Sequence, residues 1–315
     1  MATRIASGRF FLGLILAIAL SDPLAADSAL DSPVLPGSSE ASKTGAGDAT
    51  GEFENGLLWR IDGAAPESSY LFGTMHVEDP RITELPAPVM RAFDASDSLT
   101  TEALLDVEQI MMVGTELLLT DGSTLQDLIG PELYGEVTRA MGARGLQSQI
   151  GALLKPWAIA VLLSQPRSQG GMFLDRQLYD LATTRGKSVF GLESLSEQLQ
   201  IFNAMSIDDQ IQLLQETLTH INAIPEMIEK LTRAYLDRNL ARLTELANEQ
   251  FALSGAHSRL KQDLLLDRNI RMVERMAPRL SEGNAFIAIG ALHLAGASGL
   301  LSLLQQQGYT LTRIY

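Results

Sequence analysis

The chain has 315 residues, with 38 acidic against 24 basic side chains, a formal charge of −14 and no cysteine. So anionic a surface repels nucleic acid and anionic lipid, and the lack of thiols excludes disulfides, thiolate metal sites, a cysteine nucleophile and a lipidated cysteine anchor. Any metal must be held by oxygen and by the nitrogens of four histidines.

Residues 1–26 read as a secretory signal peptide. Arg4 and Arg9 form a basic start, Phe10 to Leu20 (FFLGLILAIAL) is an apolar run too short to cross a bilayer, and Leu24-Ala25-Ala26 offers small residues for cleavage. Nothing after Ala26 reaches transmembrane length, so the expected location is periplasmic or secreted, with no stable membrane span after cleavage. Losing Arg4, Arg9 and Asp22 with the leader would move the formal charge from −14 to −15. Residues 27–52 are rich in Ser, Ala, Gly, Pro and Asp without periodicity and read as a disordered low-complexity linker. A domain of residues 53–315 follows, ample for a sizeable core.

Within it, Leu57 to Asp62 (LLWRID) and Tyr70 to Thr74 flank a turn and read as a hairpin, Pro86 to Asp94 as a short helix opened by proline, and Ser98 to Ala103 (SLTTEA) as the next strand. Val107 to about Gln165 reads as several helices punctuated at Gly114, Gly122, Gly130-Pro131, Gly145 and Gly151, with Pro156 opening another. Met172 to Thr184 is amphipathic, Lys187 to Gly191 is a short strand, and helices run on to about Leu280. Ala285 to Gly290 (AFIAIG), a helix around Ser298 to Gln307, and Tyr309 to Ile314 close the chain as a β-α-β arrangement. The expected fold is α/β: a mixed central β-sheet flanked by helices, with a large helical middle insertion or subdomain.

Two stretches share one local logic. In YLFGTMHVED and in FIAIGALHLAG an apolar strand ends in Gly-x-x-His, Gly73 to His76 and Gly290 to His293. Glycine at a strand's carboxyl end permits close approach, and ligands of open α/β sheets gather at that edge. A lone histidine there is more often structural; the matched pair outweighs that reading. Glu102 ends its strand with Thr100 on the same face, so its carboxylate emerges from a sheet edge, although a surface residue at a strand end would look the same. His76, Glu102 and His293 would form a two-nitrogen, one-carboxylate set suited to manganese, cobalt or zinc. His220 and His257 stand at helix boundaries, where capping or exposure explains them. There is no His-Glu-x-x-His, Gly-x-Ser-x-Gly, Walker loop or dinucleotide fingerprint.

The segments LLWRI, YLFGTMH, LPAPVMRAF, DSLTTE, GMFLDRQLYDLATTRGKSVFGLESLSEQ, LLLDRN and FIAIGALHLAGASGLLSLLQQQGYTLTRI together resemble the TraB/GumN family, TIKI-like and distantly related to the erythromycin esterase-like clan. The resemblance covers nearly all of Leu57 to Tyr315. It implies divalent-metal-dependent proteolysis through His76, Glu102 and His293, and marks Asp175, Glu193, Arg268 and Asn269 as family positions. Glu78 and Asp79 depart from the family pattern and would add a ligand or simply negative potential. By helical spacing Leu265, Asn269, Met272 and Met276 form one stripe, so Asn269 sits on an apolar face. Arg268 could pair with Glu193, meet a substrate oxyanion, or be exposed beside Arg271 and Arg275. Glu193 ends a strand, and Asp175 in the first turn of its helix is accounted for by the dipole. Three functions remain open: a metal-dependent hydrolase of peptides or small molecules, a metal-free esterase-like hydrolase with His76 as base, and a non-catalytic peptide- or ligand-binding regulatory protein.

Overall fold

The computed structural model describes residues 53–104, 113–166, 170–251 and 260–315. The expected leader and linker, and His257, lie outside them. Among the described residues no helix is long and apolar enough to cross a membrane.

Six strands form one mixed sheet: β1 (Leu58–Asp62), β2 (Ser69–Thr74), β3 (Ser98–Ala103), β4 (Ser188–Glu193), β5 (Ala285–Gly290) and β6 (Thr310–Arg313), in the order β4-β3-β5-β2-β1-β6. The expected hairpin is β1–β2, and β1 also pairs antiparallel with β6. Across β4, β3, β5 and β2 every pairing is parallel. β5 is buried almost throughout, which is why AFIAIG has no polar alternation, whereas the edge strand β6 is half-exposed. The closing β-α-β unit spans two intervening strands, since β5 and β6 are separated by β2 and β1.

Helices α1 (Pro80–Thr83) and α2 (Ala87–Ala95) connect β2 to β3. Phe93 of α2 and Phe72 of β2 both meet Phe286 of β5, with ring centroids 5.3 and 5.9 Å apart, fixing that face of the sheet. The helical middle is divided by β4. Before it come α3 (Leu125–Gly142), α4 (Ser148–Gly151), α5 (Pro156–Ser164) and α6 (Leu174–Thr184); α3 breaks at Gly130, whose φ of 75° only glycine adopts freely. After it come α7 (Leu195–Asn203), α8 (Ile207–His220), α9 (Ile224–Leu236), α10 (Leu240–Phe251) and α11 (Asp267–Glu282). The apolar α5 is buried nearly all round, with Trp157 stacked on Phe202 of α7 at 5.1 Å. A π-helical stretch, Gln262–Leu266, runs directly into α11, and α12 (Leu300–Gln306) leads to β6.

Candidate active site

Four neighbouring parallel strands each deliver one polar side chain toward the same sheet edge. Gly73 and Thr74 of β2 lie opposite Ile289 and Gly290 of β5, so the two Gly-x-x-His turns leave the sheet side by side. β3 flanks β5 and carries Glu102 as its penultimate residue; β4 flanks β3 and ends on Glu193, opposite Ala103. The edge is the carboxyl one, where an α/β sheet offers its loops and helix starts to a ligand.

Each glycine of the paired motif has its own steric reason. A Cβ on Gly73 would lie 3.1 Å from the side chains of Ala291 and Leu294, the turn that carries His293. A Cβ on Gly290 would lie 3.0 Å from Glu102 Oε1, which instead accepts the Gly290 amide at 2.7 Å. One glycine lets the two histidine turns touch, and the other lets the carboxylate reach backbone.

His76, Glu102 and His293 line one cavity of about 30 Å³, with Leu231 and Tyr235 of α9 and Leu243 of α10 forming an apolar wall. All three polar side chains are buried. The Tyr235 hydroxyl donates to the Gly73 carbonyl at 2.8 Å, and burial, with Asp175 nearby, holds that phenol well above its ordinary pKa, so it stays a donor.

Arg268 is fully buried, which settles its place among the three sequence alternatives. Its Nη2 donates to Glu102 Oε2 at 2.7 Å and lies 2.8 Å from Glu193 Oε2; its Nε donates to Glu193 Oε2 at 2.9 Å and its Nη1 to the Leu264 carbonyl at 3.2 Å. With its fork taken by two carboxylates and the Leu264 carbonyl, Arg268 is not placed to meet an oxyanion. Glu193 is linked to Glu102 through Arg268. Burial raises the cost of charging Glu102, but Arg268, the two histidines and the Gly290 amide together bring its pKa down to about 2. His293 moves the other way from a typical pH switch: burial outweighs the attraction of Glu102 and, helped by Arg268 and His76, pushes its pKa down to about 3, so the imidazole is neutral.

Asn269, on the predicted stripe, finds its partners. Its Nδ2 donates to the Ser298 carbonyl at 2.7 Å, which turns Oδ1 toward His293 Nδ1 at 2.6 Å. A neutral imidazole that donates from Nδ1 keeps its lone pair on Nε2. That Nε2 is buried, makes no hydrogen bond among the described residues, and lies 3.9 Å from Glu102 Oε1.

Asp175 is the residue that dipole reasoning undervalued. It does sit in the first turn of α6, but it is 2 % exposed, accepts from Thr74 Oγ1 at 2.9 Å, and places Oδ2 3.1 Å from His76 Nε2. The signal was available: Leu174, Leu178 and Ala182 mark the buried stripe of α6, and Asp175 lies three residues before Leu178 on that face. The neighbouring acids are committed elsewhere. Asp79 caps α1 and pairs with Arg81, and Glu78 Oε2 accepts the Gly171 amide at 3.1 Å. His220 ends α8, as its position in the sequence implied.

Among the described residues no three histidine, aspartate or glutamate side chains are gathered tightly enough to hold an ion as they stand. Their chemistry nevertheless fits a divalent cation. His293 presents a buried lone pair with its other nitrogen hydrogen-bonded, the usual support of a ligating imidazole, and carboxylate oxygen stands beside it.

A family model described as the TraB/PrgY/gumN family matches residues 57–313. Metalloprotease TIKI2 of Danio rerio is 27% identical over 311 residues, covering 81% of this chain and 60% of its own length. Metalloprotease TIKI1 of Homo sapiens is 24% identical over 310 residues, covering 81% and 61%. The uncharacterized protein YbaP of Escherichia coli (strain K12) is 22% identical over 242 residues, covering 75% and 87%. The chain thus spans about three fifths of the TIKI relatives it matches. No solved structure matches it. Because the matched span runs from the start of β1 to the end of β6 and takes in both histidine turns, the chain belongs to the TraB/PrgY/gumN family.

Proposed function

We propose that the protein is an exported metal-dependent hydrolase that cleaves amide bonds of peptides. The observation that carries this reading is the meeting of both Gly-x-x-His histidines and Glu102 on one cavity, with the buried His293 Nε2 lone pair facing a carboxylate. The metalloprotease names of the TIKI relatives support it.

His76, His293 and Glu102 would hold the cation. When bound, a divalent ion supplies Lewis acidity, polarising a carbonyl and making water a stronger acid. The rest of the work falls to the chain. Asn269 fixes the ring of His293, and Arg268 and the Gly290 amide fix the carboxylate of Glu102. Leu231, Leu243 and Leu292 keep bulk water out, which strengthens every charge interaction inside. Tyr235 steadies the end of β2, from which His76 hangs.

A metal-free hydrolase is the second reading, favoured by the close approach of Asp175 to His76, where the carboxylate would orient the imidazole as a base. Cleavage of a peptide library by full-length protein, in chelator and with added manganese, separates the two. Metal-stimulated cleavage is expected, with His76→Ala, Glu102→Gln and His293→Ala each lowering it about 100-fold or more. Cleavage that survives in chelator selects the metal-free reading; no turnover under either condition selects a binding protein. Export has its own test, since protein recovered outside the cytoplasm should begin near Asp27.

A further inference from the structure

We propose that Asp175 is a ligand of the divalent cation, its Oδ2 sharing the ion with His76 Nε2. The inference rests on the metal-dependent reading and changes its donor set. Asp175 is buried, and its two oxygens are unequal: Oδ1 accepts from Thr74 Oγ1 at 2.9 Å, whereas Oδ2 makes no hydrogen bond among the described residues. A buried carboxylate oxygen left in that state costs free energy unless something binds there.

A neighbouring ring nitrogen supplies the second observation. Oδ2 lies 3.1 Å from His76 Nε2, without the alignment of a hydrogen bond. Two donors on one ion, each about 2.1 Å from it at tetrahedral or octahedral angles, stand about 3.0–3.4 Å apart, so the spacing is that of two ligands of one ion. The third observation concerns Glu102. Its oxygens already accept from Arg268 and from the Gly290 amide, at 2.7 Å each, which leaves it less to give a cation than Asp175 has. Arg268 and the Gly290 amide thereby hold Glu102 in place, and Asp175 is the carboxylate with an oxygen left to give the ion. Thr74, inside the first Gly-x-x-His, is the outer partner that turns Asp175 toward the ion.

Isothermal titration of full-length protein with Mn²⁺, and separately with Zn²⁺, tests this without any substrate. Asp175→Asn keeps the size of the side chain and the Thr74 contact, and should weaken binding about 100-fold or more while the far-ultraviolet spectrum in chelator is unchanged. Thr74→Val, nearly the same shape, should weaken it about tenfold, and decides the matter if Asp175→Asn does not fold. Wild-type affinity in Asp175→Asn, or in Thr74→Val when that is the only folded variant, overturns the proposal and leaves the metal-dependent reading standing. Failure of the wild type to bind either ion overturns both. Lost hydrolysis by Asp175→Asn in chelator, from a wild type that needs no metal, would assign Asp175 to orienting a base and equally overturns ligation.

Discussion

The two ring nitrogens of His293 have separate duties, and both can be tested without knowing a substrate. Replacing Asn269 by Leu strands the buried Nδ1 and the Ser298 carbonyl together, which should cost about 1–3 kcal/mol in urea denaturation, since a buried donor without a partner loses its full hydration. An unchanged midpoint would remove Asn269 as the support of the ring. Acid sensitivity follows from the two depressed pKa values. His293 falls from 6.5 to about 3 and Glu102 from 4.5 to about 2, so between about pH 6.5 and 2 the unfolded chain binds more protons than the folded one. Stability is therefore full above about pH 6.5. It is lost on acidification, first through His293 and then, below about 4.5, through Glu102. In chelator the urea midpoint should be lower at pH 5 than at pH 7.5, and His293→Asn should flatten that part of the slope. A midpoint that rises toward pH 5 would contradict a buried neutral imidazole.

Between α11 and the strands, the Glu102–Arg268–Glu193 cluster decides more than any single contact. Arg268→Met would leave two buried carboxylates facing one another, a loss of about 3–5 kcal/mol, whereas adding Glu102→Gln and Glu193→Gln to that variant should restore most of it. Denaturation of the single and triple variants checks this; equal stability of the two would mean that the charges are not confined together. The helix itself explains what the sequence could and could not tell. Leu265, Asn269, Met272 and Met276 all prove buried, because a stripe is a local property of spacing. Arg268 gave no such signal beside Arg271 and Arg275, because its burial depends on carboxylates from β3 and β4, many residues away. Asp175 was legible in part: its place on the buried stripe of α6 shows in the spacing, but an acid in a helix's first turn already has a sufficient explanation, and its partner Thr74 lies 101 residues away in β2.

Across the whole molecule, the strands were legible as apolar runs closed by glycine or polar turns, and β5 matches the reading residue for residue, AFIAIG. Their order was not legible. Nothing local in β2 says that it will pair with a strand more than two hundred residues later, yet that pairing is what turns two weak Gly-x-x-His patterns into one site. The order makes a prediction that joins fold and site. β5 is central and covered on both sides by β3 and β2, so its amides should exchange with deuterium most slowly in the sheet, while β6, an exposed edge, should exchange early. The Gly290 amide, at the half-buried end of β5, is expected to share that protection because Glu102 Oε1 accepts it at 2.7 Å. Glu102→Ala should then release Gly290 alone while the amides of Phe286 to Ala288 stay slow, since their partners lie in the neighbouring strands. Residue-resolved exchange distinguishes the cases. Protection of Gly290 that survives the substitution would show that the carboxylate does not hold that turn, and early exchange throughout β5 would contradict its place at the centre of the sheet.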